Sequence, residues 1–239
     1  MRQLVCVSFV ALLLAACSSE ASKKETPAVG FESAKSEFAE YFYPEYKEPK
    51  VYIFRDSVNP LMEQYHRVYA KTIMEYRHNI LEIYQAGGRF GEAYTYKLND
   101  SLTLMAHVVF DRNKNKEMAE VLRSELFPLS KSKSAYFVSR FKGPIDSTMM
   151  LAEVQRSFGK GPFKMNVLGK ERDVIMMNDA VRQTVFNPFT KQEKVLNYYM
   201  HTIFAKHLGA VAFYTDDKKL SMKVEKIVND KQWTQMMKQ

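Results

Sequence analysis

Apolar residues recur at every second position along most of this chain. Leu102, Leu104, Ala106, Val108 and Phe110 take one parity, and Leu220, Met222 and Val224 alternate with Ser221, Lys223 and Glu225. A period of two puts one face of a strand on a core and the other in solvent, the signature of an antiparallel sheet. The same reading predicts strands at 51–54, 64–73, 80–86 and 90–98, although 61–76 also fits a helix. Gly87-Gly88 between two such runs supplies the positive φ angles of a tight hairpin. Turns are expected at Asn99-Asp100-Ser101, at 111–115 and at Gly143-Pro144. Residues 116–127 read as strand or helix, and 135–141 and 148–158 as strands, the latter ended by a Gly159-Lys160-Gly161-Pro162 turn. Further strands are expected at 164–168, 173–186, 195–205, 210–215 and 220–228, with turns at Asn187-Pro188 and Asp216-Asp217. Helical spacing occurs only near the two ends. Phe31, Ala34, Phe38 and Tyr41 predict a short amphipathic helix stopped by Pro44, and Asn229 is placed to cap a last helix carrying Trp233, Met236 and Met237.

The first residues break this pattern. Arg2 precedes an apolar run at 4–16 interrupted only by Ser8, shorter than the roughly 20 residues a membrane-spanning helix needs, so it reads as an export signal. It closes on Leu14-Ala15-Ala16-Cys17, which resembles the lipobox of bacterial lipoproteins. The resemblance implies diacylglycerol transfer to the Cys17 thiol, cleavage before it, and acylation of the new amine. An ordinary signal peptide cut near Ala16 would leave Cys17 a lone thiol, unusual in an exported protein. In that family Asp after the Cys retains the protein in the inner membrane; Ser18 stands there, which implies the outer membrane. Three acyl chains on one residue would make the attachment effectively permanent. Residues 1–16 are thus expected as signal peptide, and 17–30 as the acylated Cys with a small, polar tether reaching about 20 Å. Residues 31–239 are expected as a single β-rich domain, since no Pro-, Gly- or Ser-rich linker divides them.

Composition sharpens this. The 239 residues are 46% hydrophobic and 26% charged, which is globular rather than disordered. Only Cys6 and Cys17 are present, which excludes a disulfide framework, a Cys-ligated metal site and a cysteine nucleophile in the body of the chain. The formal charge is +8; for an exported protein this points to envelope surfaces rather than nucleic acid. Lys131, Lys133, Arg140 and Lys142 form one basic stretch and Lys218, Lys219, Lys223 and Lys226 another, equally explained as decoration of exposed strands and turns.

Residues 163–228 resemble uncharacterised TapB-like envelope proteins, through Val167-Leu168-Gly169-Lys170-Glu171 and Phe204-Ala205-Lys206-His207-Leu208-Gly209-Ala210-Val211. The resemblance implies a curved antiparallel meander, an open half-barrel-like sheet similar to that of the lipoprotein-localisation carriers. It carries no activity, and His207-Leu208 departs from the small-residue turn usual there.

Catalytic signatures are missing: no nucleophile elbow, zinc-protease helix, phosphate loop or dinucleotide fingerprint occurs. Of the five histidines, His107 lies four residues before Asp111, about 13 Å along a strand and too far for a shared metal; no metal, cofactor or catalytic residue is assigned. Glu82 and Glu92 are expected to face each other across the Gly87-Gly88 hairpin on one face with Tyr84 and Tyr94, a carboxylate pair that could serve acid–base chemistry or simply be solvated. The 14 Tyr and 16 Phe suit strands, and an apolar concave face could hold an acyl chain. Together these readings predict an outer-membrane lipoprotein, facing the periplasm or exposed at the surface. It would be held by Cys17 and act as a non-enzymatic binding or assembly module for lipid or an envelope protein. The alternative is an envelope hydrolase acting on glycan or lipid.

Overall fold

The computed structural model describes residues 36–97, 102–110, 115–143 and 148–238. The lipobox, Cys17, the tether, the expected turn at Asn99-Asp100-Ser101, all but Asn115 of the turn at 111–115 and Pro144 of the Gly143-Pro144 turn lie outside them.

Twelve antiparallel strands follow one another around a closed barrel. They are β1 (Lys50–Asp56), β2 (Glu63–Ile73), β3 (Tyr76–Gln85), β4 (Arg89–Lys97), β5 (Thr103–Phe110), β6 (Lys116–Ser124), β7 (Ser134–Lys142), β8 (Met149–Val167), β9 (Lys170–Asn187), β10 (Gln192–Ala205), β11 (Gly209–Thr215) and β12 (Ser221–Asn229); α1 (Asp230–Met236) follows. The expected open half-barrel is therefore corrected to a closed one, while the mainly antiparallel β character stands. Closure falls to β1, which pairs with β2 on one side and with β12 on the other, from Lys50↔Asn229 to Asp56↔Met222. β1 carries the run Val51-Tyr52-Ile53-Phe54, all four at most 1% exposed. Tyr52 and Phe54 enter the barrel core, whereas Val51 and Ile53 lie in an outer cluster with Tyr65, Tyr84, Trp233 and Met236. A strand buried on both faces reads as a continuous apolar run; alternation alone cannot say that its two edges find the two ends of the meander.

α1 forms as expected. Asn229 accepts from the Gln232 backbone while the Gln232 side chain accepts from Asn229, a complete capping box worth about 1 kcal/mol. Arg67 ties the helix down, pairing with Asp230 and with Glu82. The Gly87-Gly88 turn also forms, with φ of 73° and 69°. Both ambiguous stretches, 61–76 and 116–127, are mainly strand.

Three local expectations change. Residues 159–162 are not a turn: β8 runs through them as a single strand with register shifts between Phe158 and Lys160 and between Lys160 and Phe163. A bulge leaves a residue out of the ladder, so it can accept a Pro. A second bulge in β5 pairs Thr95 with Ala106 but Tyr96 with Leu104. Leu104 thereby turns inward with His107, and Ala106, Val108 and Phe110 do not share its face. Finally, the expected helix near Phe31–Tyr41 reduces, among the described residues, to one 3-10 turn at Ala39–Tyr41.

That N-terminal segment plugs one end of the barrel. Phe38, Tyr41, Phe42 and Tyr43 are buried in the barrel core, which overrides their helical spacing. Its backbone is stitched to several loops: Glu37 N–H donates to Leu129 O (3.0 Å), His207 N–H to Glu40 O (2.6 Å) and Ala70 N–H to Tyr46 O (2.7 Å). Tyr46 donates to the Tyr52 hydroxyl (2.8 Å), which donates on to Leu208 O (2.7 Å).

The barrel is apolar inside and polar outside. On β12 Met222 and Val224 are buried while Lys223 and Glu225 are exposed; on β9 Ile175, Met177 and Val181 are buried. A membrane-spanning barrel shows the opposite arrangement, an apolar outer band around a polar interior. No helix among the described residues is long and apolar enough to cross a membrane.

Candidate functional site

The barrel encloses a cavity of about 400 Å³. The plug residues Phe42 and Tyr43, with Phe127 and Phe204, line it at one end, and Gln64, Glu92, Tyr198 and Leu220 towards the other, where these four are half-buried rather than sealed. Leu81, Ile83, Tyr94, Tyr96, Phe137, Met200 and Phe213 supply most of the wall. Volume and apolar lining fall within the range of small-molecule sites.

Three polar groupings interrupt this wall. The first is the cross-strand pair Arg156↔Asp179, with Nε to Oδ1 at 2.7 Å and Nη2 to Oδ2 at 2.8 Å. Asp179 is 0% exposed and also accepts from Thr202 (3.4 Å). Nη1 of Arg156 donates to Leu126 O (3.2 Å), and the guanidinium lies over the rings of Phe127 and Phe204 at 5.2 and 5.3 Å. Burial would lower the Arg156 pKa, and Asp179 outweighs it, leaving the charge more firmly held than in water. Every nitrogen of the fork is engaged.

The second is a row across β4, β5 and β7. Glu92 Oε2 accepts from Tyr94 Oη (2.8 Å) and lies 3.2 Å from His107 Nε2, while His107 Nδ1 is 3.0 Å from Ser139 Oγ. Tyr94 stacks on the imidazole at 4.5 Å. With the imidazole proton on Nε2, the Ser139 hydroxyl donates to Nδ1, and both ring nitrogens and Glu92 Oε2 are satisfied. Burial first, then Glu92, raises the Tyr94 pKa well above its usual value, so the phenol stays a donor. The row contains the residue types of a serine hydrolase in the reverse order: Ser139 is 0% exposed at the dry end, whereas the Glu92 side chain is 38% exposed at the cavity. A nucleophilic hydroxyl must meet substrate, and this one cannot.

The third is His66, stacked on Phe213 and packed on Phe54, with Tyr43 Oη 3.3 Å from Nδ1 and Gln64 Oε1 3.0 Å from Nε2. Burial alone pushes its pKa down to about 3, so it is neutral near pH 7. The unfolded chain, with an ordinary histidine at about 6.5, then binds one more proton than the native state between pH 6.5 and 3. This contribution to stability is present above pH 6.5 and is lost as pH falls through that window. We expect His66→Gln to flatten the wild-type fall by about 1 kcal/mol between pH 6 and pH 5, read from urea denaturation at each pH.

Of the residues singled out in the sequence, Glu92 and His107 come together here. Glu82 does not join them: it pairs with Ala93, whereas Glu92 pairs with Ile83. Glu82 bonds Arg67 beside α1, on the outer face of the sheet. The expected carboxylate dyad is thus corrected, because facing residues on one sheet face must be register partners. His201 bonds Asn178 and Asp216, away from His207, which neighbours Glu40. The basic stretches also disperse: Arg140 pairs with Glu120, Lys142 with Glu117 and Lys219 with Asp217. Among the described residues no group of three or more His, Asp or Glu is arranged to hold a metal. Arg156 and Asp179 went unnoticed in the sequence, though Asp179 carried a signal: it interrupts the inward parity Ile175, Met177, Val181.

A further feature lies outside the lumen. β10 pairs with β11 only over Met200–Ala205, leaving the edge of residues 192–199 without a neighbouring strand, with Leu196 54% and Tyr199 60% exposed.

No protein-family model matches the chain, and no curated protein matches it. Two solved structures are similar. One is a candidate lipoprotein from Parabacteroides distasonis, 10% identical, with a TM-score of 0.49 over 79% of this chain and 98% of that one. The other is a candidate exported protein with a YmcC-like fold from Bacteroides fragilis, 11% identical, with a TM-score of 0.42 over 79% and 99%. At these values the likeness concerns the general course of the chain alone.

Proposed function

We propose that this chain is a cell-envelope lipoprotein, anchored in the outer membrane through Cys17, whose barrel holds a small apolar or amphiphilic ligand without transforming it. The observation that carries the reading is the cavity of about 400 Å³, walled by aromatic and aliphatic side chains and plugged at one end by Phe42 and Tyr43. A closed barrel of this kind, apolar within and polar without, is the arrangement by which soluble barrels enclose ligands. The anchor rests on Leu14-Ala15-Ala16-Cys17. No comparable observation supports the hydrolase, since the serine hydroxyl beside His107 is fully buried and does not line the cavity.

Extraction of the acylated protein in mild detergent, followed by mass spectrometry of copurifying lipids, tests the ligand; recovery of none would sink the binding role. Separately, Cys17→Ala is expected to move the protein from the membrane fraction to the soluble one, and unchanged retention would refute the anchor.

A second reading, docking of an envelope protein, rests on the free edge of β10. Such an edge can accept a strand from a partner. Leu196→Lys, which places a charge there, is expected to abolish recovery of a partner while leaving lipid recovery intact.

A further inference from the structure

We propose that the lumen selects a cationic amphiphile, with Glu92 receiving the ammonium group and the aromatic wall the alkyl chain. The inference rests on the ligand-binding reading above and specifies the chemistry of the ligand.

It follows from which charges in the lumen are already satisfied. Three carboxylates line the cavity, those of Glu92, Glu125 and Asp179, against the single guanidinium of Arg156. Glu125 is exposed and accepts from Tyr136 N–H, which leaves Glu92 as the excess charge of the lumen, negative inside a chain whose formal charge is +8. Asp179 and Arg156 neutralise each other in a two-bond fork, and Arg156 spends its remaining terminal nitrogen on Leu126 O. The group that ordinarily receives a fatty-acid carboxylate or a phosphate in such a cavity is therefore closed to ligand. His66 is neutral and adds no positive charge.

Glu92 differs from Asp179. Its Oε2 is held by Tyr94 and faces His107, which fixes the direction of the carboxylate, while Oε1 has no hydrogen-bond or ionic partner among the described residues. Its side chain is 38% exposed and lines the cavity, so it can be approached without first being stripped of a partner. A carboxylate pre-oriented by two neighbours, with one free oxygen beside an apolar wall, complements an N⁺–H donor on an alkyl chain. It repels an anionic head, and a buried unpaired pair of like charges is costly.

The test uses the full acylated chain in a non-ionic detergent, offered dodecylammonium and dodecanoate at equal concentration, with bound species counted by native mass spectrometry. Dodecylammonium is expected to exceed dodecanoate at least tenfold. Glu92→Gln, which keeps size and hydrogen-bonding capacity, is expected to reduce the dodecylammonium adduct by tenfold or more without reducing dodecanoate. Leu81→Trp, which fills the cavity, is expected to abolish both adducts. Equal uptake of the two probes, a preference for dodecanoate, or indifference to Glu92→Gln would overturn the cation preference and leave the ligand-binding lumen standing. Absence of both adducts, or their persistence in Leu81→Trp, would overturn the ligand-binding lumen and this inference with it.

Discussion

Replacement of Asp179 by alanine is expected to cost about 3–5 kcal/mol of stability, the usual consequence of leaving half of a buried ion pair unpaired. Asp179 is 0% exposed and receives two nitrogens of Arg156. Without it the guanidinium stays against the rings of Phe127 and Phe204 with only Leu126 O as an acceptor. The pair itself need not stabilise the fold, because the cost of removing two charges from water offsets most of their attraction. The double variant Arg156→Leu, Asp179→Leu is accordingly expected to lie within about 2 kcal/mol of wild type. Urea denaturation of the two single variants and the double gives the coupling directly. A cost below about 1 kcal/mol for Asp179→Ala would mean that water reaches Arg156 and that the lumen is far wetter than its lining implies.

Gly209→Ala is the second change with a large expected effect, about 2–6 kcal/mol. Two causes add. Gly209 has φ of +85°, where a side chain costs about 1–3 kcal/mol, and its new Cβ would fall into the ring of Tyr43, 2.6 Å from Cε1, an overpacking of about 1–3 kcal/mol. Tyr43 cannot retreat easily: its ring meets Tyr52 edge-on at 5.2 Å and its carbonyl accepts from Asn79 Nδ2 at 3.0 Å. The variant is expected to expose residues 36–46 to limited proteolysis while the barrel strands stay protected. In a Tyr43→Ala background the same substitution should retain only the backbone part of its cost. Equal costs in both backgrounds would show that the plug does not bear on Gly209.

What could be read in the sequence follows how local each cause is. The Gly87-Gly88 hairpin, the alternation along β12 and the capped α1 were legible, because turn chemistry, a two-residue period and an N-cap act over a few residues. The β5 bulge was not. It is set by Tyr96 choosing Leu104 across the ladder, and it reverses the face of every residue after it. The segment before Pro44 misled for the opposite reason: its aromatics have helical spacing, but the barrel end takes them in a turn and a single 3-10 turn, and burial outweighs a weak intrinsic preference.

The site divides in the same way. Glu92 was identifiable as a carboxylate beside a hairpin, yet its partner was misassigned to Glu82, since only the register Ile83↔Glu92 tells which face each occupies. Arg156 and Asp179 stand 23 residues apart along the chain and become neighbours only through the pairing of β8 with β9.

By itself the sequence determined that this is a strand-rich body without cysteines of its own and without a recognisable catalytic motif. Only the tertiary structure decided that the meander closes. Closure depends on β1 meeting β12, a contact between the two ends of the domain that no local pattern encodes, with α1 covering the outer side of β1. From that one pairing follow the enclosed cavity, the burial of Asp179, and the direction in which Glu92 faces.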